Sequence, residues 1–145
     1  MFVNRRTVRI EWGDCDPAGI VYYPRYFAMF DHSTAMLLEA ATGYTKYQMT
    51  KVYDFVGFPM IDTGAKFYIP SKFGDDIVIE STISELGKSS FNISHKVWKG
   101  DQLAIEAHEK RVWVGKHPDD ASRIKSKPIP DEVVHKLRGM ATVDV

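Results

Sequence analysis

The chain predicts an α+β fold in which one long helix lies on an antiparallel sheet, and two patterns carry that prediction. Apolar and small side chains recur at spacings of three and four across residues 24–42, the stripe of an amphipathic helix. Elsewhere five runs alternate between apolar and polar residues, as half-buried strands do. Composition fits a soluble globule: 145 residues, 44% hydrophobic and 26% charged, with 19 basic and 19 acidic side chains. Balanced charge argues against a polyanion-binding surface, so no nucleic-acid partner is expected. No window approaches ~18 uninterrupted apolar residues, and the opening MFVNRRTVRIEW lacks the apolar stretch of a secretory signal. No membrane association and a cytoplasmic location are the resulting expectations. The length suits a single domain, 1–145, with 117–145 as a C-terminal tail.

In chain order, Val8, Ile10 and Trp12 alternate with Arg9 and Glu11 and predict a strand over residues 3–12. The glycines and proline of Gly13 to Gly19 cannot continue a central strand and mark an ordered loop. Pro24 suits the first turn of a helix, with Tyr23 as the expected N-cap. The helix runs over 24–42, with Phe27, Phe30, Thr34, Leu37 and Ala41 on one face and Arg25, His32 and Glu39 on the other. Gly43 is its stop. Residues 44–54 read as a short helix or turn region, ended by Gly57 and Pro59. Four more strands follow, around Ala65-Phe67-Ile69, Ile77-Ile79-Ile83, Phe91-Ile93-His95-Val97 and Leu103-Ile105-Ala107, the last reaching about Gly115. The turns at Pro70 to Asp75, Leu86 to Lys88 and Lys99 to Asp101 are short enough to join antiparallel neighbours. His117 to Asp120 breaks the fifth strand, Pro128-Ile129-Pro130 punctuates a basic linker, and Asp131 is expected to cap a short helix ending at Arg138. One helix on five strands leaves a sheet face uncovered, so at least a dimer is expected.

Several residues can do chemistry. Asp16, biased toward an extended conformation by Pro17 and held just ahead of a helix start, either caps a turn or presents a reactive carboxylate. Tyrosine at the cap cannot accept from first-turn amides as Ser or Asp would, which leaves those N–H groups for a ligand or for water. Asp31 sits at the edge of the apolar stripe, where it is solvated, paired with a basic neighbour or facing a ligand donor. Lys88, Ser89 and Ser90 make a polar hairpin tip whose cation and hydroxyls also suit a phosphate. Arg123, Lys125 and Lys127 form a solvated charge run or assist there. Cys15, the only cysteine, excludes an internal disulfide and reads as a small packing residue. The five histidines lack zinc-ligand spacing, so no metal site is expected, and His95 on an apolar strand face reads as a satisfied core histidine.

The loop G-D-C-D-P-A-G-I-V at 13–21, the Tyr23-Pro24 that opens the helix, Asp31 within it, Gly57-x-Pro59 and Lys88-Ser89-Ser90-Phe91 occur in that order along residues 8–115. Together they resemble the hot-dog-fold acyl-CoA thioesterases of the 4-hydroxybenzoyl-CoA thioesterase family. The resemblance implies a five-stranded antiparallel sheet wrapped around one long helix, with dimers or tetramers of dimers whose sites lie between subunits. It implies hydrolysis of an acyl-CoA thioester to free acid and coenzyme A. An aromatic acyl group such as 4-hydroxybenzoyl comes first and a short aliphatic chain is the alternative. No cofactor is implied, since coenzyme A is part of the substrate. Asp16 would act as nucleophile or general base, the Tyr23 backbone N–H would polarise the thioester carbonyl, and Asp31 would face the phenolic hydroxyl. Gly19 and Pro59 would line the substrate site, while Lys88, Ser89 and Ser90 would touch coenzyme A. Gly87 departs from the arginine common at its place. Two rivals exist: a hydratase, which would want a histidine near Asp16 that the loop lacks, and a non-catalytic acyl-CoA or acyl-carrier-protein binding module.

Overall fold

The computed structural model describes residues 1–139 and 141–144. Its central helix α1 spans Tyr23–Thr42, and Tyr26, Phe30, Thr34, Leu37 and Leu38 bury along it. Ser33, Ala35 and Thr42 are buried as well, which widens the expected stripe because the sheet curls around more than one side of the helix. Gly43 ends it in the left-handed region at φ 81°, with its N–H donating to the Glu39 carbonyl at 2.8 Å. The short helix α2 (Lys46–Val52) opens with Thr45 and Gln48 capping one another. A last helix, α3 (Asp131–Arg138), buries Val133 and Leu137.

The strands in chain order are β1 (Val3–Arg9), β2 (Met60–Phe67), β3 (Asp76–Leu86), β4 (Ser90–Lys99), β5 (Gln102–Val112), β6 (Val114–His117), β7 (Asp120–Ser126) and β8 (Thr142–Asp144). Their order in the main sheet is β2-β5-β4-β3-β1-β8, antiparallel throughout except for the short parallel β1/β8 pair. This is the hot-dog arrangement, with a sixth edge strand added to the five expected.

Four boundaries differ from the sequence reading, each for a local reason. The first strand stops at Arg9, because the Asp14 carboxylate accepts from the Glu11 N–H at 2.9 Å and winds Trp12–Asp14 into a 3-10 turn that leaves Trp12 exposed. The cap of α1 is Tyr22, so Tyr23 is its first helical residue. The cap of α3 is Pro130, and Asp131 lies inside the first turn, where its charge still favours the helix dipole. Finally, His117 to Asp120 is a turn joining β6 to β7, not a break into a linker, and His117 pairs with Asp120 across it.

The connection at 68–75 also behaves differently from the expected hairpin. It leaves β2 on one sheet edge and crosses to β3, three places away. On the way Ser71 accepts from the Val21 N–H at 2.9 Å, and Asp75 accepts through its carbonyl from Ile10 at 2.8 Å. The crossing closes the sheet over the start of α1. The outer sheet face, in turn, is polar where it was expected to need cover, carrying Ser94, Lys96, Glu106, His108 and Lys110. Part of the exposed apolar surface lies on edge strand β2 and just beyond it, at Met60, Ile61, Phe67 and Tyr68, and more is carried by Trp12, Tyr23, Tyr47 and Phe73.

Inside, two apolar clusters flank a polar layer. One gathers Phe30, Ile79, Val97 and Ile105, and the other gathers Leu37, Leu38, Phe91, Ile93 and Trp113. Between them sits a layer of buried polar residues, Thr34 on α1, Ser81 on β3, His95 on β4 and Glu109 on β5. Replacing Gly43 by alanine should lower stability by about 1 kcal/mol, since nothing crowds the site and only the left-handed backbone resists a side chain. Thermal unfolding should register this as a fall of about 2–4 °C, and an unchanged transition would contradict the capping role.

Candidate active site

Asp16 is held by a closed three-residue turn. Its backbone N–H donates to the Ile20 carbonyl, its carbonyl accepts from Gly19, and its Oδ1 accepts from Ala18, each at 2.9 Å. Pro17-Ala18-Gly19 thus form a tight hairpin tip in which Gly19 supplies the left-handed backbone, at φ 83°. Cys15 and Val21 pair across its base, and Ile20 pairs with Lys72 on the other side. The turn-capping reading of Asp16 is therefore correct for one carboxylate oxygen.

The helix begins two residues beyond Val21. No side chain caps it, Pro24 brings no N–H, and the Arg25 N–H turns back to the Tyr22 carbonyl at 2.8 Å. The Tyr23 N–H is left with no acceptor among the described residues. A cavity of about 190 Å³ opens beside it, walled by Val21, Tyr23, Tyr26, Phe67 and Ser71. Burial pushes the Tyr26 phenol above its ordinary value, so that wall is neutral and mostly apolar.

Asp31 has a partner that local sequence does not show. Arg111 on β5 donates from Nη2 to Asp31 Oδ1 at 2.7 Å, from Nε to Glu109 Oε1 at 2.8 Å and from Nη1 to the Phe58 carbonyl at 3.2 Å. Glu109 also accepts from Thr34 Oγ1 at 2.5 Å, and His95 Nε2 lies 3.4 Å from its other oxygen. Since the Thr34 hydroxyl donates to Glu109, its oxygen is left to accept from His95 Nε2, 3.2 Å away, and the other ring nitrogen, Nδ1, hydrogen-bonds with the Ser81 hydroxyl at 2.7 Å. His95 is thus a satisfied core histidine, as read from the sequence. Burial, the largest single influence on Glu109, opposes its ionisation. The hydrogen bonds from His95, Arg111 and Thr34 stand against burial, and Glu109 moves from 4.5 down to about 2.

Lys88, Ser89 and Ser90 turn the β3/β4 hairpin, and its backbone is pinned by the chain's second half: Lys88 accepts from the Ile129 N–H at 2.9 Å and Ser89 from Trp113 at 2.7 Å. The tail therefore docks on this hairpin, two residues past Lys127. At Gly87 an added Cβ would lie 2.7 Å from Ser90 Oγ and 3.1 Å from the Ser90 carbonyl, so a side chain there would require the hairpin to shift. Pro59 lies one residue past the Phe58 carbonyl that Arg111 grips, and its own carbonyl accepts from Val112 at 3.2 Å.

The predicted residues thus fall into two groups. Asp16, Gly19 and Tyr23 surround the start of α1 near the N-terminal end of β3, whereas Asp31, Pro59 and the Lys88–Ser90 hairpin gather toward its other end. Asp31 is eight residues along α1 from Tyr23, or about 12 Å, and the eleven residues of β3 span roughly 30 Å. Sequence reasoning missed Thr34, Glu109 and Arg111 as site-supporting residues. The signal was present: carrying the period of Ile105 and Ala107 forward places Glu109 and Arg111 on the inner face.

A profile of the thioesterase-like superfamily matches residues 10–137. The chain is 33% identical over 132 residues to a 4-hydroxybenzoyl-CoA thioesterase of Pseudomonas sp. strain CBS-3, covering 87% of this chain and 91% of that one. A 1,4-dihydroxy-2-naphthoyl-CoA hydrolase of Microcystis aeruginosa is 25% identical over 140 residues, 93% of each chain. Among solved structures, a 4-hydroxybenzoyl-CoA thioesterase mutant complexed with 4-hydroxybenzoyl-CoA superposes with a TM-score of 0.84 at 28% identity, covering 93% of this chain and 98% of that one.

The buried carboxylate predicts acid behaviour. A pKa near 2 in the fold against 4.5 unfolded contributes roughly 3 kcal/mol at neutral pH, present above pH ~4.5 and lost as pH falls toward ~2. Urea midpoints recorded across that window should fall more steeply for the wild type than for Glu109→Gln. Parallel curves would contradict ionised Glu109.

Proposed function

The chain belongs to the thioesterase-like superfamily, and on that premise we propose that it hydrolyses an aromatic acyl-CoA thioester to the free acid and coenzyme A. The observation that carries the reading is the constrained Asp16 turn leading into an uncapped helix start. Asp16 either attacks the thioester carbonyl, expelling the coenzyme A thiolate and leaving an anhydride that water then hydrolyses, or takes the proton from a water that attacks and expels the same thiolate; in both routes the Tyr23 N–H, with the helix dipole behind it, stabilises the oxyanion that forms. Gly19 shapes the turn beside the reacting carbonyl. Asp31 receives a hydroxyl on the acyl ring, Pro59 lines that end, and Lys88, Ser89 and Ser90 hold coenzyme A phosphates. The reaction so described uses no cofactor. The aromatic acyl group is favoured over a short aliphatic one by the names of the relatives, which are aryl-CoA hydrolases, and by an exposed carboxylate at Asp31 that an aliphatic chain would not use. A binding module would retain the Asp16 turn without releasing thiol.

The separation of the two residue groups supports a site completed between two subunits, one supplying the Asp16 loop and the other Asp31. The apolar edge strand β2, unpaired on its outer side, supports dimers and tetramers of dimers. No helix among the described residues is long and apolar enough to cross a membrane, and a cytoplasmic enzyme is the reading adopted.

Free-thiol release from 4-hydroxybenzoyl-CoA, benzoyl-CoA and butyryl-CoA tests the assignment. The hydroxylated aryl thioester should show the highest kcat/KM, and Asp16→Asn should lose about 10³-fold or more in turnover while still binding substrate. Asp16→Asn retaining above about a tenth of activity would remove Asp16 from the chemistry, and butyryl-CoA winning would discard the aromatic reading. Sedimentation should give a mass at least double the 16.5 kDa chain, and Ile61→Lys on the β2 edge should shift it toward monomer.

A further inference from the structure

We propose that Arg111 is the positioning residue that makes Asp31 selective for a hydroxyl on the acyl group, and that Glu109, Thr34 and His95 are the buried frame that fixes Arg111. The inference rests on the aromatic acyl-CoA thioesterase reading above. The Asp31 side chain is 58% exposed on the helix surface, whereas that of Arg111 is only 4% exposed. An exposed aspartate alone would sample several rotamers and present no fixed acceptor. Here three acceptors hold the planar guanidinium at once: Glu109, the Phe58 carbonyl and Asp31. Its flat face also lies 5.6 Å from the Phe58 ring centroid. A fork so held transmits its orientation to the carboxylate it grips, which a flexible ammonium would not do.

Only Oδ1 of Asp31 is spent on Arg111. The second oxygen remains to accept from a ligand, and its direction is set by the first. The charges decide the class of ligand. Glu109 and Arg111 balance inside the core, so the group turned outward carries the negative charge of Asp31, which welcomes a neutral donor such as a phenolic hydroxyl and repels a carboxylated acyl group. Stability alone does not call for this arrangement. A buried ion pair with its satellites is commonly no more stable than well-packed apolar side chains of the same volume, and apolar residues lie on both sides of it along α1, β4 and β5.

The test compares kcat/KM for 4-hydroxybenzoyl-CoA and benzoyl-CoA in the wild type, Arg111→Lys, Glu109→Gln, Asp31→Asn and the Asp31→Asn/Arg111→Lys double variant. The ratio between the two substrates should fall about tenfold in Asp31→Asn. It should fall by a similar factor in Arg111→Lys and by a smaller one in Glu109→Gln, and the double variant should show no further fall than Asp31→Asn, because both residues act through one contact. A purely structural role would lower both substrates in proportion and leave the ratio intact. An intact ratio in whichever of Arg111→Lys and Glu109→Gln folds, or additive losses in the double variant, overturns the proposal. A wild type with no preference between these two aryl substrates strikes the assignment of Asp31 to a ring hydroxyl, and with it the selectivity claimed for Arg111, while the aromatic reading is judged against butyryl-CoA. The positioning claim is then judged on the ligand-free crystal structure of Arg111→Lys, where Asp31 spread over several rotamers upholds it and Asp31 fixed in its wild-type rotamer refutes it.

Discussion

An ionised carboxylate in the middle of the core is the constraint on which the rest of this structure depends. Glu109 is buried and charged, so it must be surrounded by donors. Those donors come from three elements: Thr34 from the helix, His95 from the neighbouring strand and Arg111 from two residues along its own strand. Apolar contacts alone would let α1 slide along or rotate over the sheet at little cost, because they are not directional. Hydrogen bonds to one carboxylate are directional, and they set where Thr34, and hence the whole helix, sits over β4 and β5. The polar layer between the two apolar clusters is the trace of that requirement.

The same network reaches the surface through Arg111 and ends on Asp31, so the core is tied directly to that candidate residue. At the opposite end a different device operates. The 68–75 crossing holds the segment leading into α1 by its backbone, the Asp16 turn is closed on itself, and the helix start is kept free of a side-chain cap. A strand of eleven residues separates the two ends. The two groups of candidate residues therefore sit at opposite ends of one copy, each held by its own set of contacts.

How legible each part was depends on how local its cause is. The helix at 24–42, its stop at Gly43 and the short helices at 46–52 and 131–138 follow from periodicity and turn chemistry within a window of residues, and the structure places them there to within one or two positions. Strand β7 was unreadable because every residue in it is exposed, which leaves no alternation to find. Trp12 continued the phase of Val8 and Ile10 on paper, yet a hydrogen bond to the Asp14 side chain turns the chain before it. The turn at Pro70 to Asp75 resembles the hairpin turns in length and composition, and nothing in it announces a crossing to a distant strand.

By itself, then, the sequence determined the helix, the segments of the first five strands and the D-P-A-G turn that holds Asp16, since each arises from interactions among neighbours in the chain. Tertiary structure alone decided the strand order, the placing of Asp16 and the Lys88 hairpin at opposite ends of β3, and the pairing of Asp31 with an arginine eighty residues later. The physical reason is that a charge buried in a core finds its partners across the sheet, and which strands lie side by side is fixed by the global packing of the chain around α1, beyond the reach of any local window.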